Sequence, residues 1–338
     1  MHLFGNDYCE ACSKEILEAL VKYSSEQNIT YGLDYHSKNA ANYIKNIFNA
    51  KEADVHFLAG GTLTNVVFIS SCLKHYEGVI SCSSGHINVH ETAATEGAGY
   101  KIITVPGENA KVRPIDIKNV LAEYTNEHMV KPRMVYISNS TEYGTIYCEQ
   151  ELRELYKTCK ENDLYFFIDG ARLGSALTSK YNDVKPSLLG EICDAFYIGG
   201  TKNGLLFGEA LVINNKELQK EFRYHIKNKG AMLAKGYVLG IQFERAFQDD
   251  LYFSLAKHAN LMADLLKEEL NKLNLPLLDS PTNQIFVSFK RDVAIILMKE
   301  FGLEKWEDRG EEIIVRLVTS FLTKKEDIDE FITYVKNL

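Results

Sequence analysis

An α/β fold is predicted for this chain: a mostly parallel sheet with flanking helices, followed by a smaller C-terminal α+β domain. Three observations predict it. Strand-like and helix-like segments alternate from about Val55 to Ile213, the order of a parallel sheet covered on both faces. The stretch from Lys216 to about Leu273 is nearly all helical in pattern, broken near Gly230 and Gly236. Beyond Ser280-Pro281 come a strand, a helix, a strand and a helix. At 338 residues the chain can hold one large and one smaller domain. The expected division is residues 1–250, with the N-terminal segment, and residues 251–338.

Each element has a local reason. Val55-His56-Phe57-Leu58 reads as a strand, and Leu63 to Leu73 as the helix after its glycine turn. Tyr100 to Val105 and Met134 to Ile137 are apolar, β-prone runs. Pro114 suits a first helical position, so a helix is expected from Ile115 to Glu127. Glu149 to Glu161 carries Leu152, Leu155 and Tyr156 at helical spacing. The runs at Phe166 and Ala195 are continuous apolar stretches, as strands buried on both faces require. In the tail, Gln284 to Phe289 and Glu312 to Val318 read as strands. Thr323-Lys324-Lys325-Glu326 has the form of a capping box opening a last helix.

Composition removes several function classes. The net charge of −8, with no basic stripe, argues against a nucleic-acid partner. No apolar run reaches the length of a membrane span, and the acidic start at Asp7 and Glu10 does not resemble a signal peptide. Seven cysteines, an odd number in mostly apolar segments, suggest reduced thiols and a cytoplasmic protein. Cys9 and Cys12 form a lone Cys-x-x-Cys with no second ligand pair, so a redox or zinc role is not expected.

The chemistry concentrates at strand ends. Lys202 sits in Gly200-Thr201-Lys202-Asn203, a tight turn directly after the apolar strand Ala195-Phe196-Tyr197-Ile198. Asp169 ends the neighbouring run Phe166-Phe167-Ile168. Ligands bind at such carboxyl ends in open α/β sheets. A lysine for a Schiff base and an acid for a ring nitrogen are what pyridoxal phosphate requires. Arg172 lies three residues on, within reach of the same ring. Gly60-Gly61-Thr62 opens a helix, where free amides and the helix dipole attract phosphate. It lacks the Walker lysine and does not fit G-x-G-x-x-G, which counts against a nucleotide-dependent oxidoreductase. His86 follows Ser83-Ser84-Gly85 and is placed to stack on a cofactor ring. His86, His90 and Glu91 do not follow the zincin order, so no metal site is expected. Arg316 lies mid-strand among apolar residues. It is either half of an internal ion pair or a two-pronged clamp for an amino-acid carboxylate.

Together these residues resemble the threonine aldolase / β-eliminating lyase family of fold-type-I pyridoxal-phosphate enzymes. The resemblance runs from Asn6-Asp7-Tyr8 through Tyr31-Gly32-Leu33-Asp34, Gly61-Thr62-Leu63-Thr64-Asn65 and Asp169-Gly170-Ala171-Arg172-Leu173 to Thr201-Lys202 and Val315-Arg316-Leu317-Val318-Thr319. It implies Lys202 for the Schiff base, Asp169 for the ring nitrogen, Arg172 for the ring 3-oxygen and His86 for stacking. It gives Gly61 and Thr62 to the phosphate, and Asn6 and Arg316 to the substrate carboxylate. It also implies a homodimer or homotetramer with shared sites. Three positions depart from the pattern. Many threonine aldolases have Thr-His at Thr141-Glu142 and at Thr319-Ser320, and Gly-Gly-Met-Arg at Gly230-Ala231-Met232-Leu233. Glu142 then becomes the candidate for recognising the β-hydroxyl or taking its proton. The expected reaction is retro-aldol cleavage of a β-hydroxy-α-amino acid to glycine and an aldehyde. The alternatives are β-elimination from another amino acid, or a silent scaffold, against which the intact lysine, aspartate and arginine argue.

Overall fold

The computed structural model describes residues 2–338. Its larger sheet contains β1 (Asp54–Leu58), β2 (Glu77–Cys82), β3 (Lys101–Val105), β4 (Lys131–Ser138), β5 (Tyr165–Asp169), β6 (Ala195–Gly199) and β7 (Glu209–Ile213). The seven strands lie in the order β1-β7-β6-β5-β4-β2-β3. β3, β2, β4, β5 and β6 pair in parallel, while β7 runs antiparallel to both β6 and β1. The reversed strand follows from its connection. A parallel return needs a crossover of about a dozen residues or more, and the Gly200–Gly208 loop is shorter than that.

Strand alternation explains the continuous apolar runs. Phe166 and Ile168 face one buried cluster with Ile80, Val135, Phe196 and Ile198. Phe167 faces the other with Val79, Met134, Tyr136 and Tyr197. Both faces are covered, so the central strands are apolar on both sides along most of their length. The small unit has its own sheet, in the order β10 (Glu304–Asp308), β11 (Glu312–Val318), β9 (Gln284–Lys290) and β8 (Leu277–Leu278), all antiparallel. The long helix Leu251–Lys272 and the last helix Lys325–Lys336 cover it. The N-terminus joins this unit too. Phe4 is buried in its core, its N–H donates to Phe301 O, and its carbonyl accepts from Val318 N–H. No helix among the described residues is long and apolar enough to cross a membrane.

Two local expectations change. The helix begun by Pro114 ends at Glu123, four residues early. Asn126 forms a turn of its own there, its side-chain oxygen accepting from His128 N–H at 3.0 Å. The last helix is capped by Asp327, whose carboxylate accepts the Lys324 N–H at 2.8 Å. Thr323 instead accepts from Ser320 N–H at 2.8 Å and closes the preceding turn.

Candidate active site

The site lies at the carboxyl edge of the parallel strands, where β5 ends in Asp169 beside Ser138 of β4. Gly170 allows the next strand to come close, since a Cβ there would lie 1.9 Å from Tyr197 O. Asp169 is buried and surrounded by donors. Tyr136 Oη donates to its Oδ2 at 2.5 Å, Asn65 Nδ2 to the same oxygen at 3.2 Å, and Ala171 N–H to Oδ1 at 3.0 Å.

The Lys202 turn is rigid. Gly200 N–H and Thr201 N–H both donate to Gly208 O, and Asn203 Nδ2 donates to Tyr252 O at 2.7 Å. Gly204 and Gly208 take φ of +84° and +107°, a region glycine enters without strain. Beneath the turn, the buried Glu209 accepts from Gly200 N–H at 3.2 Å and from Thr201 Oγ1 at 3.0 Å. Burial pushes the Glu209 carboxyl up. Burial, and after it the Arg172 guanidinium, pulls the Lys202 ammonium well below the ordinary lysine value. Part of this amine is therefore neutral near physiological pH, the state a nucleophile needs.

A cavity of about 230 Å³ is lined by Tyr8, His86, His90, Glu142, Arg172, Lys202, Glu304 and Arg316. His86 Nδ1 lies 2.8 Å from Glu91 Oε1, which also accepts from Asn65 Nδ2 at 2.8 Å. Asn65 thus links the histidine's carboxylate to Asp169. A carboxylate facing Nδ1 places the imidazole proton on that nitrogen. Glu142 Oε1 accepts from His86 N–H at 2.9 Å and Ser138 Oγ at 2.6 Å, leaving Oε2 free of these contacts. Burial raises the Glu142 carboxyl above the ordinary range.

Arg172 lines the cavity but also pairs with the buried Asp7. Its Nε and Nη2 donate to the two carboxylate oxygens at 2.8 and 3.0 Å. Arg316 bonds Glu304 through Nη2, its Nη1 lies 3.4 Å from Gln284 Oε1, and its buried Nε has no hydrogen-bond partner. Arg316 is thus both in an ion pair and on the cavity wall. Gly61 and Thr62 open the helix Gly61–Cys72, whose start has no side-chain cap. Asn6 is not brought to the cavity lining. Its side-chain oxygen accepts from Tyr8 N–H at 3.1 Å and Cys9 Sγ, bonds that close a local turn. Sequence reasoning passes over Glu304 and Glu209, weighs Glu91 only as a metal ligand, and gives Asp7 and Tyr8 no role in the site.

Residues 7–292 match the model of the family described as beta-eliminating lyase. The chain belongs to this family. A relative in curated form, the low specificity L-threonine aldolase of Pseudomonas aeruginosa, is 30% identical over 269 residues, covering 78% of this chain and 77% of the relative. Another, from a Pseudomonas sp., is 29% identical over 311 residues, covering 91% and 87%. The solved structure of Leishmania major threonine aldolase superposes with a TM-score of 0.97 at 41% identity, covering 100% of this chain and 99% of that one. A Thermus thermophilus aspartate aminotransferase variant, with TM-score 0.74 at 14% identity, shares the fold. Family and neighbours agree with the expected fold-type-I architecture.

Proposed function

We propose that the chain is a pyridoxal-phosphate-dependent carbon–carbon lyase that cleaves a β-hydroxy-α-amino acid of the threonine type into glycine and an aldehyde. One observation carries this reading. In a chain of this family, an amine (Lys202), an imidazole (His86), a buried carboxylate (Glu142) and a shielded guanidinium (Arg316) converge on one cavity. The assay is direct: threonine and allo-threonine should yield glycine and acetaldehyde. Release of an α-keto acid and ammonia instead would favour β-elimination.

The residues fit the cofactor. Lys202 would hold it covalently, Asp169 would accept its ring N–H, His86 would lie against the ring and Arg172 would approach the 3-oxygen. The uncapped start at Gly61 and Thr62 offers amides to a phosphate, and a Cβ on Gly60 would meet nothing within 4 Å. Bound there, pyridoxal phosphate supplies an electron sink for the pair left on Cα. The protein does the rest. Arg316 would hold the α-carboxylate and so orient the bonds on Cα. Glu142 takes the β-hydroxyl proton on Oε2 as Cβ–O becomes the aldehyde carbonyl. Ser138 and the His86 N–H hold Oε1 and aim the other oxygen. Asn6 has no part in this reading.

Two outcomes test the roles. Glu142→Gln should lower kcat by about a hundredfold or more. A base works deprotonated and burial raises this one, so native activity should rise with pH through a limb above the ordinary carboxylate range. The Gln variant should lose that limb, and a native profile would leave the role to water. Arg316→Lys replaces a fork by a point charge, and kcat/KM should fall about ten- to a hundredfold, roughly 1.5–3 kcal/mol. A destabilised variant with unchanged KM would reduce Arg316 to its Glu304 pair.

The same reading takes residues 1–250 as the cofactor domain and residues 251–338 as the small domain, with Phe4 anchoring the N-terminus to the latter. The protein is proposed to be a cytoplasmic homodimer or homotetramer, its cysteines all free. Leu17, Val21, Ile29, Leu33, Tyr35 and Tyr224 are all more than half exposed, and a second copy would cover such residues. Light scattering should show at least a dimer, and an active monomer would exclude it.

A further inference from the structure

Arg316 already holds a carboxylate. It lies on β11 with Glu304 directly opposite on the edge strand β10, and Glu304 bonds its Nη2. The guanidinium plane is fixed by its surroundings. Its Cζ stands 5.6 Å from the Trp306 ring centroid, and Trp306 is held edge-on by Tyr143 and Phe286. Gln284 faces Nη1, and Nε is buried without a partner.

A guanidinium offers two parallel pairs of N–H groups to a planar carboxylate, Nε with Nη2 and Nη1 with Nη2. Both include Nη2, the nitrogen that Glu304 takes. An incoming carboxylate must therefore share Nη2 beside a like charge, or move Glu304 away. Glu304 can move. Its side chain is 44% exposed, against 10% for Arg316. It lines the cavity together with His90, itself an exposed residue.

We infer that Glu304 is a built-in competing carboxylate that sets how tightly Arg316 holds the α-carboxylate of the amino-acid substrate and of the product glycine. The inference rests on the reading above that Arg316 receives that carboxylate. It gives the residue a purpose in turnover. Glycine keeps the carboxylate of the substrate and loses only the side chain, so an Arg316 clamp alone would retain the product. A carboxylate waiting on the neighbouring strand speeds its release and keeps the substrate affinity moderate.

The experiment is a glycine titration of the cofactor-loaded protein, native and with Glu304→Gln and Glu304→Ala, followed by stopped-flow dissociation. Both variants should bind glycine more tightly by about fivefold, the order expected on losing a half-exposed ion-pair partner, and should release it more slowly. The Ala variant should equal or exceed the Gln variant, because Gln still offers Arg316 an oxygen. A residue that only orients Arg316 would give the opposite sign. Equal or weaker glycine binding in both variants therefore overturns the inference while leaving the lyase reading intact. A native holoenzyme that binds no glycine overturns both.

Discussion

Replacing Lys202 with alanine should lower turnover by at least about five powers of ten, roughly 7 kcal/mol, and abolish the visible absorbance band of the reconstituted protein. The reasoning compares Lys202 with the other lysines. Many of them, such as Lys111, Lys160 and Lys180, are held by carboxylates. Lys267 is also half-buried and also lowered, but it donates to the carbonyls of Ser280 and Thr282. Burial alone therefore does not mark the nucleophile. Lys202 combines a lowered ammonium with a position on the cavity, and no carboxylate lies within ion-pair distance among the described residues. Borohydride reduction of the native holoprotein followed by peptide mapping should place the cofactor on Lys202. Adduct on another lysine, or a visible band surviving in the alanine variant, would sink the assignment.

What the sequence made legible follows from how local each signal is. Lys202 and Asp169 could be found because each ends an apolar run that only a two-face-covered strand explains, and glycines mark both ends. The continuous run also predicted the parallel core. The partners of these residues were not legible, because their contacts join distant parts of the chain. Asp7 reaches Arg172 from the N-terminus, and Asn65 reaches both Glu91 and Asp169. Nothing in the local pattern around Asp7 announces that its carboxylate will be buried against a guanidinium. Strand β10 was missed for a different reason. Glu304-Lys305-Trp306-Glu307-Asp308 is a charged edge strand with a register shift, and it has no apolar alternation to read. That is why Glu304, which shares the cavity with Arg316, was invisible. Asn6, placed at the substrate by resemblance, has its side-chain oxygen engaged in a local turn.

Asp169→Asn is expected to cost the second largest loss, about two to four powers of ten in kcat, or roughly 3–5 kcal/mol, with part of the cofactor still bound. The carboxylate accepts from three donors, the Tyr136 hydroxyl, the Asn65 amide and the Ala171 N–H, which hold its charge in place. That charge is what keeps a pyridine nitrogen protonated, and a protonated ring is the stronger electron sink. Asparagine preserves the volume but replaces one acceptor with an NH2 group. That group would face Tyr136 and Asn65, themselves donors, or would turn away and offer the ring nitrogen only a neutral carbonyl. Lys202, His86 and the helix start at Gly61 and Thr62 are untouched, so the cofactor should still be held. The decisive comparison is absorbance against turnover in the same preparation. A retained band with lost turnover supports the electron-sink role. A lost band would make Asp169 an anchor for binding, and near-normal turnover would show that the ring nitrogen needs no charge from this residue.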